Sequence, residues 1–212
     1  MTSLLLASGN PHKAAEIRQI LGPRVRVLTL RDFPGAPAPP ETAETFDGNA
    51  RLKAEGLAAW LSAHPPDTPR IDYVLADDSG LEVDALDGAP GVHSARFAGG
   101  GGANSPDSAN NAKLLRCLEG VPPERRTARF RCVLALRGPL FSGAPGRTSV
   151  FEGACEGRVA LRAAGVGGFG YDPLFVPEGC AQSFAELGED VKNKISHRAR
   201  ALEKLARFLA PA

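Results

Sequence analysis

Apolar positions along this chain alternate between short continuous runs and helical spacing. Ser3–Ala7 is a brief apolar run broken by Ser8-Gly9-Asn10, which predicts a first strand. Asn10 suits an N-cap and Pro11 the first helical position. Ala14, Ile17, Ile20 and Leu21 then keep a helical period, so Pro11 to Leu21 reads as an amphipathic helix. Val25–Leu30 alternates and predicts a second strand. Phe33–Pro40 is proline-rich and reads as a loop or a lobe connection. In the stretch that begins at Glu41, residues Ala50, Ala54, Leu57, Ala58 and Leu61 mark one helix face, with Asn49, Lys53 and Trp60 on a second stripe.

After a polar loop at Pro65–Arg70, the apolar run Ile71–Ala76 stops at Asp77-Asp78-Ser79-Gly80. Such a run bounded by turn residues predicts a buried strand with both carboxylates at its carboxyl end, where open α/β sheets place ligands. Adjacent carboxylates repel unless a divalent cation or lysines stand near them. Ala85–Phe97 reads as a structured loop and Gly99–Gly102 as a flexible tip. Ser105-Pro106 is placed to cap a helix whose Leu114, Leu115 and Leu118 face inward. Ala128–Leu136 alternates as a strand. Thr148–Leu161 gives one or two more, with Gly153 and Gly157 as bulge candidates. Tyr171–Val176 reads as a further strand. Ile195, Ala199, Leu202, Leu205, Ala206 and Leu209 define a C-terminal helix.

Alternating strands and helices predict an α/β fold, a mixed β-sheet flanked by helices in two lobes with a central cleft, and residues 1–212 are long enough for one good-sized domain or two small lobes. With 25 basic and 24 acidic residues in 212, the net charge of +1 gives no general field for nucleic acid or an anionic membrane. No apolar run approaches the roughly 18 to 20 residues that span a bilayer, and the N-terminus reads as a strand, not a signal peptide. The 4 cysteines, Cys117, Cys132, Cys155 and Cys180, form no CxxC pair and suit a reduced cytosolic protein with buried thiols.

Two cationic helix starts stand out. Lys13 lies in the first turn of its helix, the wrong end for the dipole alone but the right one if a phosphate meets the helix amides. Lys192, Lys194, His197 and Arg198 crowd the predicted start of the C-terminal helix in the same way. Gly165–Gly170 matches GxGxxG, but no helix follows it, so it reads as a loop that lets a ligand approach closely. Phe169 and Tyr171 beside it suit base stacking or the core. Together these features point to a nucleotide polyphosphate site that uses a divalent metal.

SGNPHKAAEI (Ser8–Ile17), ETAETFDGNARLKA (Glu41–Ala54), ADDSGLEVDALDGAPGVHSARFAG (Ala76–Gly99), GGFGYDPLF (Gly167–Phe175) and ISHRARAL (Ile195–Leu202) occur in one order along the chain. In these motifs the chain resembles the Ham1/RdgB family of inosine triphosphate pyrophosphatases, also called dITP/XTP pyrophosphatases. The resemblance runs nearly end to end. It implies a cytoplasmic, Mg²⁺-dependent, homodimeric house-cleaning enzyme that hydrolyses non-standard purine nucleoside triphosphates to monophosphate and pyrophosphate. The charge balance and the lack of a spanning run leave nucleic acid and membrane out of the expected partners. By position, Asp78 resembles the catalytic carboxylate and a metal ligand, and Glu41 the second acidic ligand. Ser8, Gly9, Asn10, Pro11, His12 and Lys13 resemble the triphosphate-binding turn, with Lys53 and Ser79 as further phosphate contacts. Phe169, Gly170, Tyr171 and Asp172 resemble the base-side segment, and Lys192, His197 and Arg198 close the base pocket. DVKNK departs from the family's pattern and offers Lys194 beside Lys192 for that role.

Two other readings give distinct products. An aspartyl-phosphate phosphatase with Asp77 as nucleophile would release orthophosphate. A non-catalytic nucleotide sensor would bind through the same lysines without turnover.

Overall fold

The computed structural model describes residues 1–38, 40–64, 70–99, 103–140 and 146–210 of the chain. The Pro65–Arg70 loop and the Gly99–Gly102 tip lie largely outside these residues, as does Pro39 of the Phe33–Pro40 loop. The elements run β1 (Thr2–Leu6), α1 (Pro11–Leu21), β2 (Val25–Thr29), α2 (Phe46–Ala63), β3 (Tyr73–Val83) and α3 (Asp107–Cys117). They continue with β4 (Thr127–Gly138), β5 (Arg147–Val159), β6 (Phe175–Pro177), α4 (Phe184–Leu187), α5 (Glu189–Ile195) and α6 (His197–Leu209). The strands form one six-stranded sheet in the order β2-β1-β3-β4-β5-β6. β1 is parallel to β2 and β3, while β5 and β6 are antiparallel, so the sheet is mixed as expected.

The chain divides into two compact units. The first comprises Met1–Asp78, Cys132–Glu152 and Ala201–Ala212; the second comprises Ser79–Arg131 and Gly153–Arg200. In the first, Leu4 and Leu6 of β1 pack with Ile17 of α1, Leu75 of β3, Leu134 of β4 and Leu202 and Leu205 of α6. In the second, Leu81 and Val83 pack with Leu114, Leu118, Phe130, Phe175 and Phe184. Each such side chain contributes about 1.5–3 kcal/mol when fully buried. The second unit also buries Arg126, which sequence reading passes over. Its guanidinium donates to the carbonyls of Leu118 at 2.7 Å, Val121 at 2.9 Å and Ala160 at 3.3 Å. It thus ties the carbonyl end of α3 to the chain just beyond β5, where a cation suits the helix dipole.

α1 begins as predicted. The Asn10 side chain accepts from the amides of His12 at 2.9 Å and Lys13 at 3.2 Å, and Pro11 follows the cap. Five expectations need correction. β3 does not stop at Ala76 but runs through Asp77-Asp78-Ser79-Gly80 to Val83, so the carboxylates lie in mid-strand. Lysines neutralise them, and Leu81 and Val83, both fully buried, carry the apolar pattern onward. The predicted cationic helix start is also divided. Ser196 ends α5 and opens α6, accepting from the amide of Ala199 at 3.2 Å. Lys192 and Lys194 therefore occupy the last turn of α5, the end that favours cations, and only His197 and Arg198 begin α6.

Ser105 does not cap α3, which starts after Pro106 with no side-chain cap. The strand predicted over Tyr171–Val176 is reduced to Phe175–Pro177, because Tyr171 to Leu174 form a turn closed by the Leu174 amide on the Tyr171 carbonyl at 2.9 Å. Gly157 serves close strand approach: a Cβ there would collide with the Val176 carbonyl of β6. All four cysteines are free thiols; Cys132 and Cys155 are buried, but Cys117 is exposed, against expectation. Among the described residues, no helix is long and apolar enough to cross a membrane.

Candidate active site

The first unit gathers acidic and basic side chains around the middle of β3. Asp77 and Asp78 are both buried, although they are adjacent on a strand whose side chains alternate in direction. Each has its own lysine. Lys13 Nζ from the first turn of α1 lies 2.6 Å from Asp77 Oδ1. Lys53 Nζ from α2 lies 2.7 Å from Asp78 Oδ1, 2.9 Å from Glu41 Oε1 and 3.0 Å from the Asp77 carbonyl. The ammonium's three donors thus meet three acceptors. Asn49, one turn before Lys53 on the same face, donates to Asp78 Oδ2 at 3.3 Å, while its own Oδ1 accepts from the Ala43 amide at 2.9 Å. The second contact holds the chain that carries Glu41. Cys132 Sγ donates to Asp77 Oδ2 at 3.4 Å.

Burial raises the pKa of Asp78 above the ordinary carboxylate value, against the pull of Lys53 and Lys13. A buried carboxylate with a raised pKa is a stronger proton acceptor than a solvated one. Burial disfavours the Lys53 ammonium, but the charges of Asp78 and Glu41 outweigh that and raise its pKa. The lysine therefore stays charged. Ser8, Gly9, Asn10 and Pro11 line a surface recess with Arg18 and Arg31. Within that turn the Ser8 hydroxyl accepts from the Asn10 amide at 3.2 Å, and His12 is exposed.

The second unit gathers the other predicted residues. Asp172 is buried and its Oδ2 accepts from the Phe169 amide at 2.8 Å and from Lys192 Nζ at 2.6 Å. Lys192 Nζ also lies 4.4 Å from the centre of the Phe169 ring, and the Arg198 guanidinium 5.8 Å from it. Burial distinguishes the two lysines of DVKNK: Lys192 is buried on Asp172, whereas Lys194 is exposed. Arg198 is buried and donates to Ser79 Oγ at 2.8 Å. His197 stacks on Phe130 with ring centres 4.7 Å apart. Tyr171 is a core residue here. Its ring is buried and its hydroxyl donates to the Ser94 carbonyl at 2.9 Å.

Gly168 and Gly170 both take positive φ, 73° and 63°, and a Cβ on Gly168 would strike the Asp172 carboxylate. Glycine at 168 therefore lets Asp172 reach back to the Phe169 amide.

Sequence reading missed a polar face on α3. Asn110, buried, accepts from the Ala98 amide at 2.7 Å and donates to the Ala95 carbonyl at 3.2 Å. Asp107 and Asn111 hold Gly170 by its amide and carbonyl. The available signal was the Asn110-Asn111 doublet inside a helix, where asparagine has poor propensity and needs another reason to be present.

The chain belongs to the Ham1 family, whose model matches residues 4–208. It is 47% identical over 207 residues to a Desulforamulus reducens protein named dITP/XTP pyrophosphatase, covering 97% of this chain and 94% of that one. It is 48% identical to an Opitutus terrae protein of the same name, with 97% of each chain covered. Among solved structures it is similar to a HAM1 protein from Coxiella burnetii, with a TM-score of 0.81, 36% identity and coverage of 99% of this chain and 98% of that one.

Proposed function

We propose that this chain hydrolyses non-canonical purine nucleoside triphosphates, dITP/ITP and XTP, to nucleoside monophosphate and pyrophosphate, and so keeps them out of nucleic acid. The observation that carries the reading is the Lys13–Asp77 and Lys53–Asp78–Glu41 group, in which Asp77, Asp78 and Lys53 are buried, in a chain similar over nearly its whole length to proteins named for this activity. Asp78 accepts the proton of the attacking water, which its raised pKa favours. Lys13 and Lys53 neutralise phosphate charge, aided by the turn Ser8 to Lys13 and by Ser79. Phe169, Gly170, Asp172, Lys192, His197 and Arg198 serve the purine, and Tyr171 supports their segment from the core through the Ser94 carbonyl. The homodimer and the cytoplasmic setting belong to the same proposal.

Glu41 and Asp78 fit a magnesium ion. Their oxygens are hard donors, and the protein itself places a cation, the Lys53 ammonium, between them. No group of three or more His, Cys, Asp or Glu side chains is assembled for a metal among the described residues. Magnesium commonly takes one or two carboxylates and draws its remaining ligands from water and phosphate. Such an ion would offset charge on the phosphate oxygens.

The phosphatase reading has less support. Asp77 is nearly inaccessible, with one carboxylate oxygen on Lys13 and the other on Cys132. A pocket that pairs with a 6-keto purine leaves the exocyclic amine of a canonical base unpaired, and hydrogen-bond matching of this kind discriminates by on the order of 10⁴. Initial rates with ITP, XTP, GTP and ATP in the presence of Mg²⁺ test the substrate class. ITP and XTP are expected to lead GTP and ATP in kcat/KM by at least about 10². Equal values for all four would overturn the assignment.

A further inference from the structure

The polar face of α3 has no role in the reading above, yet it grips one residue of the base-side loop from both sides. Asp107 Oδ2 accepts from the Gly170 amide at 2.6 Å, and Asn111 Nδ2 donates to the Gly170 carbonyl at 3.0 Å. The two side chains are four residues apart on one helix face, so a single rigid element holds both ends of one peptide segment. Two acceptors would repel, so the Gly170 carbonyl dictates which end of the Asn111 amide faces it. Among the described residues Asn111 Oδ1 is buried without a hydrogen-bond partner, so the donated bond to Gly170 sets the side chain. Asp107 contributes a charge-assisted bond, the stronger kind, to a glycine at a φ of 63°. Asn110 fastens the same helix to the Ala95 carbonyl and the Ala98 amide, and Tyr171 fastens the other side of Gly170 to the Ser94 carbonyl.

We propose that Asp107 and Asn111 are positioning residues that fix the Phe169–Asp172 loop and thereby set purine affinity and discrimination. The inference rests on the reading of that loop as the base side. Phe169 is held on one side by the Asp172–Lys192 pair through its amide and ring, and on the other by the α3 clamp through Gly170. Without the clamp, the Gly170 peptide is free to rotate and Phe169 loses its fixed height relative to Lys192. The clamp residues belong to the second unit and the carboxylate–lysine group to the first, so the chemical step is expected to be unaffected.

The test compares Asp107→Ala, Asn111→Ala and the conservative Asp107→Asn, which keeps an acceptor for the Gly170 amide. Loss of one such bond is expected to raise KM for ITP by about 10-fold. kcat stays within about twofold, the ITP-to-GTP preference narrows, and amide hydrogen exchange at Gly170 speeds up. Asp107→Asn recovers most of the wild-type KM. Wild-type turnover of ITP with unaltered KM, preference and exchange in both alanine variants overturns the clamp and leaves the functional reading standing. A fall in kcat at constant KM also overturns it. Failure of the wild-type protein to turn over ITP at all overturns the functional reading instead.

Discussion

Asp78→Asn is expected to fold, to bind nucleotide and to lose turnover by about 10³, the middle of the range for a general base. The structure separates the two effects. An asparagine at 78 still accepts from Lys53 through Oδ1, but its new amide nitrogen faces Asn49 Nδ2, which donates to the carboxylate at 3.3 Å. Asn49 cannot turn over without losing its bond from the Ala43 amide. One hydrogen bond therefore becomes a donor–donor contact, at a cost of about 1–3 kcal/mol. That is a modest loss of stability beside the loss of a proton acceptor whose pKa burial has raised. Steady-state rates with ITP, together with urea unfolding, separate the two. Turnover within tenfold of wild type would remove Asp78 from the role of base.

Lys53→Met is expected to have the largest effect on stability, about 3–5 kcal/mol. The ammonium is the common partner of Asp78, Glu41 and the Asp77 carbonyl, and both Lys53 and Asp78 side chains are over nine-tenths buried. Methionine fills the space of the stem but leaves Asp78 with only the Asn49 hydrogen bond and the charge of Lys13 among the described residues. Pairing Lys53→Met with Asp78→Asn removes the stranded charge, so the double variant is expected to be more stable than Lys53→Met.

The sign of the pH dependence follows from the direction of the Asp78 shift. Its folded pKa already lies above the unfolded value, and removing the lysine raises it further. The folded variant then binds a proton more readily than the unfolded chain, so its deficit shrinks as pH falls toward the Asp78 pKa. Urea unfolding of the two variants across that range checks both statements. A deficit below about 1 kcal/mol, typical of a solvated ion pair, would contradict the account.

Much of this was legible in the amino-acid sequence because local chemistry and tertiary structure agree. Asn10-Pro11 caps α1 as its residue types require, and Asn49 and Lys53 share a helix face that the structure turns toward Asp78. The misreadings fall where a distant partner overrides a local signal. Asp-Asp-Ser-Gly looks like a turn until lysines from α1 and α2 neutralise the pair and let β3 continue. Lys192 and His197 look like one cationic helix start until Ser196 parts two helices. Arg126, Asp107 and Asn111 look like ordinary surface residues, because the carbonyls and amides they serve are brought to them only by folding. Backbone partners leave no mark on sequence periodicity.

The central claim is that the carboxylate–lysine group of the first unit directs water to cleave a purine nucleoside triphosphate between its α- and β-phosphates. The most direct measurement is the phosphorus product formed from ITP, followed by ³¹P NMR with and without Mg²⁺. The account predicts inosine monophosphate and pyrophosphate in equal amounts, dependent on the metal ion. Orthophosphate with inosine diphosphate would contradict it and direct attention to Asp77 as a nucleophile. Tight binding of ITP with no product would contradict it in favour of a nucleotide sensor.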